Sequence, residues 1–117
     1  MNHDRVRRPD RHALLELDAL LDQIAQRCDA GDRARYDSDD DYRWVLHRLW
    51  IAVGNEALAY VRVSNLNPFH AQSWGMLYRL RNIIAHDRLP DIDEDHVWRM
   101  TVMRVGSLRD TVRKYLH

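Results

Sequence analysis

The residues best suited to chemistry lie in the run 80–87, which contains an arginine, an asparagine and a histidine. In a helix each residue advances by about 100°, so Asn82 and His86 share one polar face with Arg79, while Arg81 flanks the apolar stripe about 140° from His86. A histidine can act as base or acid near neutral pH. An arginine can hold two phosphate oxygens, and an asparagine can orient either group. This combination predicts metal-free cleavage of an RNA phosphodiester.

Such cleavage needs a base for the 2′-hydroxyl proton and an acid for the departing 5′-oxygen. One histidine cannot easily serve as both in one turnover. A two-fold dimer that places two copies of this helix face to face would supply two histidines and two arginines around one phosphate. The structural alternative is that His86, at the end of a helix, only interacts with the last carbonyls and the helix dipole.

Composition limits the classes of protein to which the chain can belong. Its 117 residues predict one domain, and 18 basic and 18 acidic side chains give zero net charge, so a nucleic-acid site must be a local patch. A mean hydropathy of −0.60 and short apolar runs predict no membrane span. The charged start has no secretory pattern, which favours a cytoplasmic protein. With Cys28 alone, neither an intramolecular disulfide nor a cysteine-based zinc site is expected.

Apolar residues at helical spacing predict an all-α fold, an up-and-down bundle of four to five helices. Residues 1–9 are expected to form a flexible leader, and residues 10–117 a single helical domain. Predicted start and stop signals are Asp10 and Ser38 as N-caps, Gly31 as a stop, and Asp91 and Asp93 before the last helix. Gly106 weakens that helix without having to end it. Four helices are predicted. The first two span residues 11–28 and 39–63. The third begins at residue 69 or 74 and ends at 86, and the fourth runs from just after residue 93 to 115 or 116.

The predicted core consists of the apolar stripes of these helices. Their inward positions include Leu14, Leu17, Leu21, Ile24, Leu46, Val53, Ala57, Met76, Leu77, Leu80, Ile83, Ile84, Val97, Val105, Leu108 and Val112. The central helix also carries tryptophans beside its stripe, which predicts that it is covered on more than one side.

Two acidic runs begin like calcium-binding loops but lack the residues that such a loop requires. In residues 91–102, His96 occupies the position of the required glycine, and Val102 occupies the position of the bidentate glutamate. Residues 37–48 also lack both the glycine and the glutamate. The histidines are not at zinc-ligand spacing. Helix capping explains both runs, and no metal site is predicted.

The run 74–87, followed by 91–98, resembles the HepT-like branch of the HEPN superfamily, the toxin halves of HEPN/MNT toxin–antitoxin pairs. The segment 51–57 is similar to a further family segment, and the resemblance spans residues 14–116. It implies a four- or five-helix HEPN bundle, a homodimer that can assemble further, and a metal-independent endoribonuclease without a cofactor. The catalytic residues implied are Arg81 and His86, with Asn82 as the accompanying polar residue.

The resemblance also implies partners: an RNA substrate, and an MNT-type nucleotidyltransferase as the antitoxin of a type II system. Family members usually carry, two residues after the histidine, a tyrosine that the antitoxin modifies with AMP. This chain has Arg88 there, so modification at that position is not expected, whereas the cleavage chemistry is unaffected. Candidate substrate-binding residues are Tyr78, Arg79 and Arg88.

Two other functions remain open at this point. The chain could be a non-catalytic helical dimerisation module that binds a nucleotidyltransferase partner or RNA without cutting it. A helix-turn-helix DNA-binding protein is disfavoured, because no short recognition helix follows a glycine-containing turn.

Overall fold

The computed structural model describes residues 8–29, 33–64, 68–86 and 91–116, and within these ranges all regular structure is helical. The all-α prediction is therefore confirmed. Across the described residues, none of the helices is both long and apolar enough to span a lipid bilayer. The described residues form six helices: α1 (Arg8–Asp29), α2 (Arg33–Ser38), α3 (Asp40–Ser64), α4 (Pro68–His86), α5 (Glu94–Met103) and α6 (Val105–Leu116).

Six helices replace the predicted four to five because two segments differ from expectation. The segment predicted as a polar connector contains α2, which is anchored by the fully buried Tyr36. The predicted last helix is divided into α5 and α6 at Arg104, whose φ of −115° departs from the helical range. The Arg104 N–H still bonds the carbonyl of Met100, so the two helices form one interrupted rod.

The first helix begins earlier than predicted, at Arg8, so the prediction of Asp10 as its N-cap is wrong. Pro9 is compatible with this start, because proline is tolerated in the first turn, where its missing N–H costs no hydrogen bond. The last two residues of the expected leader thus belong to α1. Residues 1–7 of that leader and Gly31 lie outside the described residues.

Aspartates cap the helices that follow the two acidic runs. Asp39, not the predicted Ser38, caps α3: its Oδ1 accepts the Tyr42 N–H at 3.1 Å, while the Ser38 hydroxyl donates backwards to a carbonyl of α2. Asp93 caps α5 as predicted, since its Oδ1 accepts the His96 N–H at 3.1 Å. In the described part of the chain, no three His, Cys, Asp or Glu side chains are placed to hold a metal ion.

Helix α3 is the centre of the molecule: α1 and α4 both pack on it, and α6 packs on α1. The predicted stripes supply most of the core, although Met76 and Ile83 lie half-buried at its edge. Trp50 is fully buried and donates its Nε1–H to Thr101 Oγ1 at 2.9 Å, which ties α3 to α5. The buried apolar side chains include Leu14, Leu17, Leu21, Ile24, Leu46, Val53, Ala57, Leu77, Leu80, Ile84, Val97, Val105, Leu108 and Val112.

A buried polar cluster joins α2, α3 and α5. The Tyr36 hydroxyl donates to Glu94 Oε1 at 2.5 Å, and His47 Nε2 lies 2.9 Å from the same oxygen and 3.1 Å from the hydroxyl. Since the tyrosine proton goes to the carboxylate, His47 Nε2 is a donor here. Burial, together with the hydrogen bond to Glu94, raises the pKa of Tyr36 well above its ordinary value of 10.0.

Candidate active site

Helix α4 presents one face to the core and carries half-buried or exposed residues on the opposite face. Leu77, Leu80 and Ile84 are buried against the rest of the bundle. The outward face carries Gly75, Arg79, Asn82 and His86, which are half-buried or exposed, and His86 lies in the last turn of the helix. The apolar spacing of α4 thus places the predicted chemical residues at an accessible helix end.

Close approach of α3 and α4 depends on Gly54. A Cβ atom added at Gly54 would lie 2.2 Å from Arg81 Cβ and 2.8 Å from the carbonyl oxygen of Leu77. Contacts this short cannot exist, so only glycine allows the two helices to touch at this point. The aliphatic part of the Arg81 side chain crosses α3 at Gly54, where there is no side chain. Its guanidinium lies at the protein surface.

The Arg81 guanidinium gathers three polar side chains around itself. Its Nε donates to Asn55 Oδ1 on α3 at 2.9 Å. Its Nη1 donates to Asn82 Oδ1 at 2.9 Å and lies 3.2 Å from Nε2 of His86. The structure therefore brings the three predicted catalytic residues together within one subunit and holds the arginine from two helices.

The contact between Arg81 and His86 determines the state of the imidazole in this arrangement. A guanidinium has no lone pair to offer, so Arg81 Nη1 must donate and His86 Nε2 must accept. An imidazole that accepts at Nε2 carries its hydrogen on Nδ1. A neutral imidazole is the form that a general base requires.

The helical wheel placed Arg81 about 140° from His86, yet their end groups meet. The wheel describes where each Cβ leaves the helix, whereas an arginine side chain is long enough to bend around the surface. The spacing of residues thus indicates where the Arg81 backbone lies and does not indicate where its guanidinium ends.

Asn55 is a further residue of the site, and no chemical motif in the sequence points to it. It lies in the segment 51–57, directly after Gly54, and that position was its one signal. Its role requires that α3 and α4 pack with Gly54 against Arg81, at a sequence separation of 26 residues from its partner. Tertiary packing of this kind cannot be derived from the spacing of residues along one helix.

The candidate substrate-binding residues differ in their relation to this cluster. The half-buried Tyr78 presents its ring to the guanidinium, with 5.9 Å from Arg81 Cζ to the ring centroid. Arg79 is exposed, and its Nη1 lies over Gly75, 3.9 Å from where a Cβ would stand. It thus extends positive charge along the outward face of α4. Arg88 lies outside the described residues.

The site combines a fixed cation with an accessible imidazole at the end of a helix. A phosphate oxygen can replace His86 as an acceptor from Arg81 Nη1, because a guanidinium binds phosphate at least as well as it binds neutral acceptors. Comparison of the chain with protein-family models, curated proteins and solved structures finds no match. The chemical assignment consequently rests on the geometry of Arg81, Asn82 and His86.

Proposed function

We propose that this chain is the toxin of a type II toxin–antitoxin pair: a metal-independent endoribonuclease of HEPN type that acts as a homodimer. The observation that carries the proposal is the hydrogen bond between the Arg81 guanidinium and His86 at the exposed end of α4. A permanent cation and an imidazole next to each other match the clamp and the base that phosphodiester cleavage requires.

In the proposed reaction, Nε2 of one His86 takes the proton of the RNA 2′-hydroxyl. The resulting oxygen attacks the neighbouring phosphorus, and the bond from phosphorus to the 5′-oxygen breaks. A protonated His86 of the second subunit delivers a proton to the departing 5′-oxygen. The products are a 2′,3′-cyclic phosphate and a 5′-hydroxyl, so atoms and charges balance without a further reactant.

Arg81 serves as the phosphate clamp in this reaction. When the scissile phosphate arrives, its non-bridging oxygens replace His86 as the acceptor of the Nη1 proton, which leaves the imidazole nitrogen available to the 2′-hydroxyl. Asn55 continues to hold Arg81 Nε, and Asn82 orients the Nη1 side. Negative charge grows on the phosphate oxygens in the transition state, where a fixed guanidinium stabilises it most.

The dimer is supported by the outward face of α4. This face runs from Gly75, beside the Arg79 guanidinium, to His86 three turns further on. A two-fold axis beside this face would bring two copies of the catalytic residues to one cleft. The proposed partner that restrains the enzyme in the cytoplasm is an MNT-type nucleotidyltransferase, and a neighbouring reading frame for such a protein is the genetic check.

The enzyme is tested directly by incubating purified protein with RNA in the presence of EDTA. We expect cleavage that persists and leaves 2′,3′-cyclic phosphate ends. His86→Ala should lower the rate about 10²- to 10⁴-fold, the usual contribution of a general acid or base. His12→Ala, which removes another exposed histidine on α1, is the matched control and should not change the rate. Intact RNA with the wild-type protein would contradict the proposal.

Arg81 is tested by separating catalysis from binding. If Arg81 acts on the transition state, Arg81→Ala should slow cleavage more than it weakens RNA binding. Equal losses in single-turnover rate and in affinity would show that the arginine only positions the RNA.

A second candidate function is a non-catalytic dimerisation module that binds RNA or a nucleotidyltransferase without cutting. The observation that favours it is that Arg81, Asn82 and His86 already satisfy one another, as a purely structural cluster would. The two functions differ in one measurement: the module would bind RNA or the nucleotidyltransferase and leave the RNA intact under all conditions.

A further inference from the structure

A second surface feature lies between α4 and the rod formed by α5 and α6. It is an open groove of about 320 Å³, a size at the lower end of the range for ligand pockets. One residue comes from α4, and five come from α5 and the junction that follows it. The lining residues are Met76, His96, Arg99, Met100, Met103 and Arg104.

Methionines form the apolar part of this groove. The chain has four methionines, and three of them, Met76, Met100 and Met103, line it. Met103 is 71% exposed and the neighbouring Val102 is 44% exposed, so the apolar surface continues outside the groove. Unbranched, polarisable methionine side chains adapt to different apolar partners and are typical of grooves that receive amphipathic helices.

The rim of the groove is positively charged. Arg99 and Arg104 lie on it, His96 adds a third basic group, and none of the described residues that line it is acidic. The nearest acidic residues in sequence are engaged elsewhere: Asp95 pairs with Arg33 at 2.7 Å, and Glu94 accepts from Tyr36. An occupant must therefore offer apolar side chains flanked by negative charge.

We propose that this groove, which we name the methionine groove, binds an acidic amphipathic helix of a partner protein. The groove residues on α5 and at its C-cap recur at three- and four-residue spacing from His96 to Arg104, a stripe about 12 Å long, or two helical turns. A helix with apolar residues at positions i, i+3 or i+4, and i+7 matches this length. Among the residues that the structure describes, no aromatic ring lines the groove for a nucleobase to stack on, which favours protein over RNA. The proposal does not depend on RNA cleavage.

The binding site is tested by NMR with ¹³C-methyl methionine. The spectrum contains four signals, of which three report on the methionine groove and Met1 serves as the internal reference. The probes are synthetic helical peptides of three turns with one apolar stripe and with glutamates, glutamines or lysines on the other face. We expect the glutamate peptide to shift the signals of Met76, Met100 and Met103 and to leave Met1 unchanged.

Affinity is measured by fluorescence anisotropy with the same peptides. The glutamate peptide should bind at least tenfold more tightly than the lysine peptide, and the difference should decrease as salt is added. Met103→Glu should reduce binding of the glutamate peptide at least tenfold. Leu15→Glu places the same charge on an exposed apolar residue of α1, outside the lining, and should leave the affinity within about twofold of wild type.

Three results would overturn the proposal. The first is equal binding of the three peptides, or no binding of any. The second is a change of oligomeric state in Met103→Glu by sedimentation, which would show that a second copy of the chain occupies the groove. The third is a single-stranded RNA oligomer that shifts the three methionine signals while the glutamate peptide does not.

Discussion

At the scale of single residues, Arg81 is the centre of the candidate site, and two residues of α3 determine where its charge lies. Gly54 provides the space for the arginine stem, and Asn55 accepts from its Nε. His86 and Asn82 then fill the other side of the guanidinium. An arginine held at both edges loses little further freedom when a phosphate binds, which is the condition for a preorganised clamp.

Gly54→Ala is predicted to destabilise the protein by roughly 1–3 kcal/mol or more, because the new Cβ overlaps Arg81 Cβ and a backbone oxygen of α4. The matched control is Gly106→Ala. Nothing lies within 4 Å of a Cβ added there, and alanine favours a helix over glycine by about 0.5–1 kcal/mol. Urea unfolding of both variants measures the difference. Gly54→Ala as stable as the wild type would mean that α3 and α4 are not in contact at this point.

Asn55→Ala is predicted to lower the catalytic rate about tenfold with little change in KM, because Arg81 loses the acceptor at its Nε edge but keeps its charge. Asn55→Asp retains an acceptor oxygen and should restore most of the rate. The Arg81 Nε–H signal in ¹⁵N NMR should move in the alanine variant and not in Glu56→Gln, the neighbouring control. An unchanged Nε–H signal in Asn55→Ala would remove Asn55 from the site.

At the scale of helices, the periodic stripes were predictable, and the ends of the helices were less so. The inward positions of α1, α3, α4 and α6 follow from apolar spacing alone, because each helix must bury one face. Ser38 and Asp39 are both good N-caps, and only the conformation of the preceding α2 decides between them. Helix α2 is not predictable from spacing, because its six residues are mostly polar. Its one buried residue, Tyr36, is held by a hydrogen bond to Glu94 on α5.

The candidate site shows the same division between local and tertiary information. Asn82 and His86 could be paired from their four-residue spacing, which is a property of one helix. The position of the Arg81 guanidinium and the role of Asn55 depend on how α3 packs on α4, which spacing does not encode. Fold class and the motif helix were thus predictable, whereas the geometry that joins two helices was not.

The buried cluster that anchors α2 gives a prediction about pH. The folded protein holds Tyr36 protonated, since its pKa is raised, whereas the unfolded chain releases that proton near pH 10.0. Above this pH the unfolded state binds fewer protons, so stability falls as pH rises, by up to about 1.4 kcal/mol per pH unit. Tyr36→Phe should be less stable at pH 7 but should show a shallower fall above pH 10.0. Parallel curves for the two proteins in alkaline denaturant titrations would contradict this.

Asp39 gives the opposite dependence at acidic pH. The Tyr42 N–H that it accepts, together with Arg35, lowers the pKa of Asp39 below its ordinary value of 3.8. Its ionised form therefore stabilises the fold above pH 3.8, and this contribution is lost as the pH falls through the lower, folded value. Asp39→Asn should have a lower Tm than the wild type at pH 7, and the difference should shrink in acid. A Tm difference independent of pH would show that the charge has no part in the cap.

At the scale of the whole molecule, α4 contributes to two separate surfaces. Its outward face carries the candidate active site, and Met76 contributes to the methionine groove. The subunit is elongated, with extents of 54 × 27 × 20 Å. The outward face of α4 ends at His86, while the methionine groove begins at Met76, ten residues or about 15 Å earlier along the helix. A partner helix in the groove could therefore lie close to the proposed dimer cleft without filling it, and binding and cleavage can be tested in the same protein.

The proposed sharing of two histidines across a dimer is tested with a mixed dimer. Two differently tagged chains, one wild type and one His86→Ala, are co-expressed and purified through both tags in sequence. If one His86 is the base and the other the acid, the mixed dimer should lose about 10²-fold or more of the single-turnover rate. Two independent sites would instead leave half of the wild-type rate. A mixed dimer with half of the wild-type rate would show that one subunit supplies both the acid and the base, and Arg81 and His86 already meet within one subunit. Cleavage would then not require a cleft shared between the two subunits.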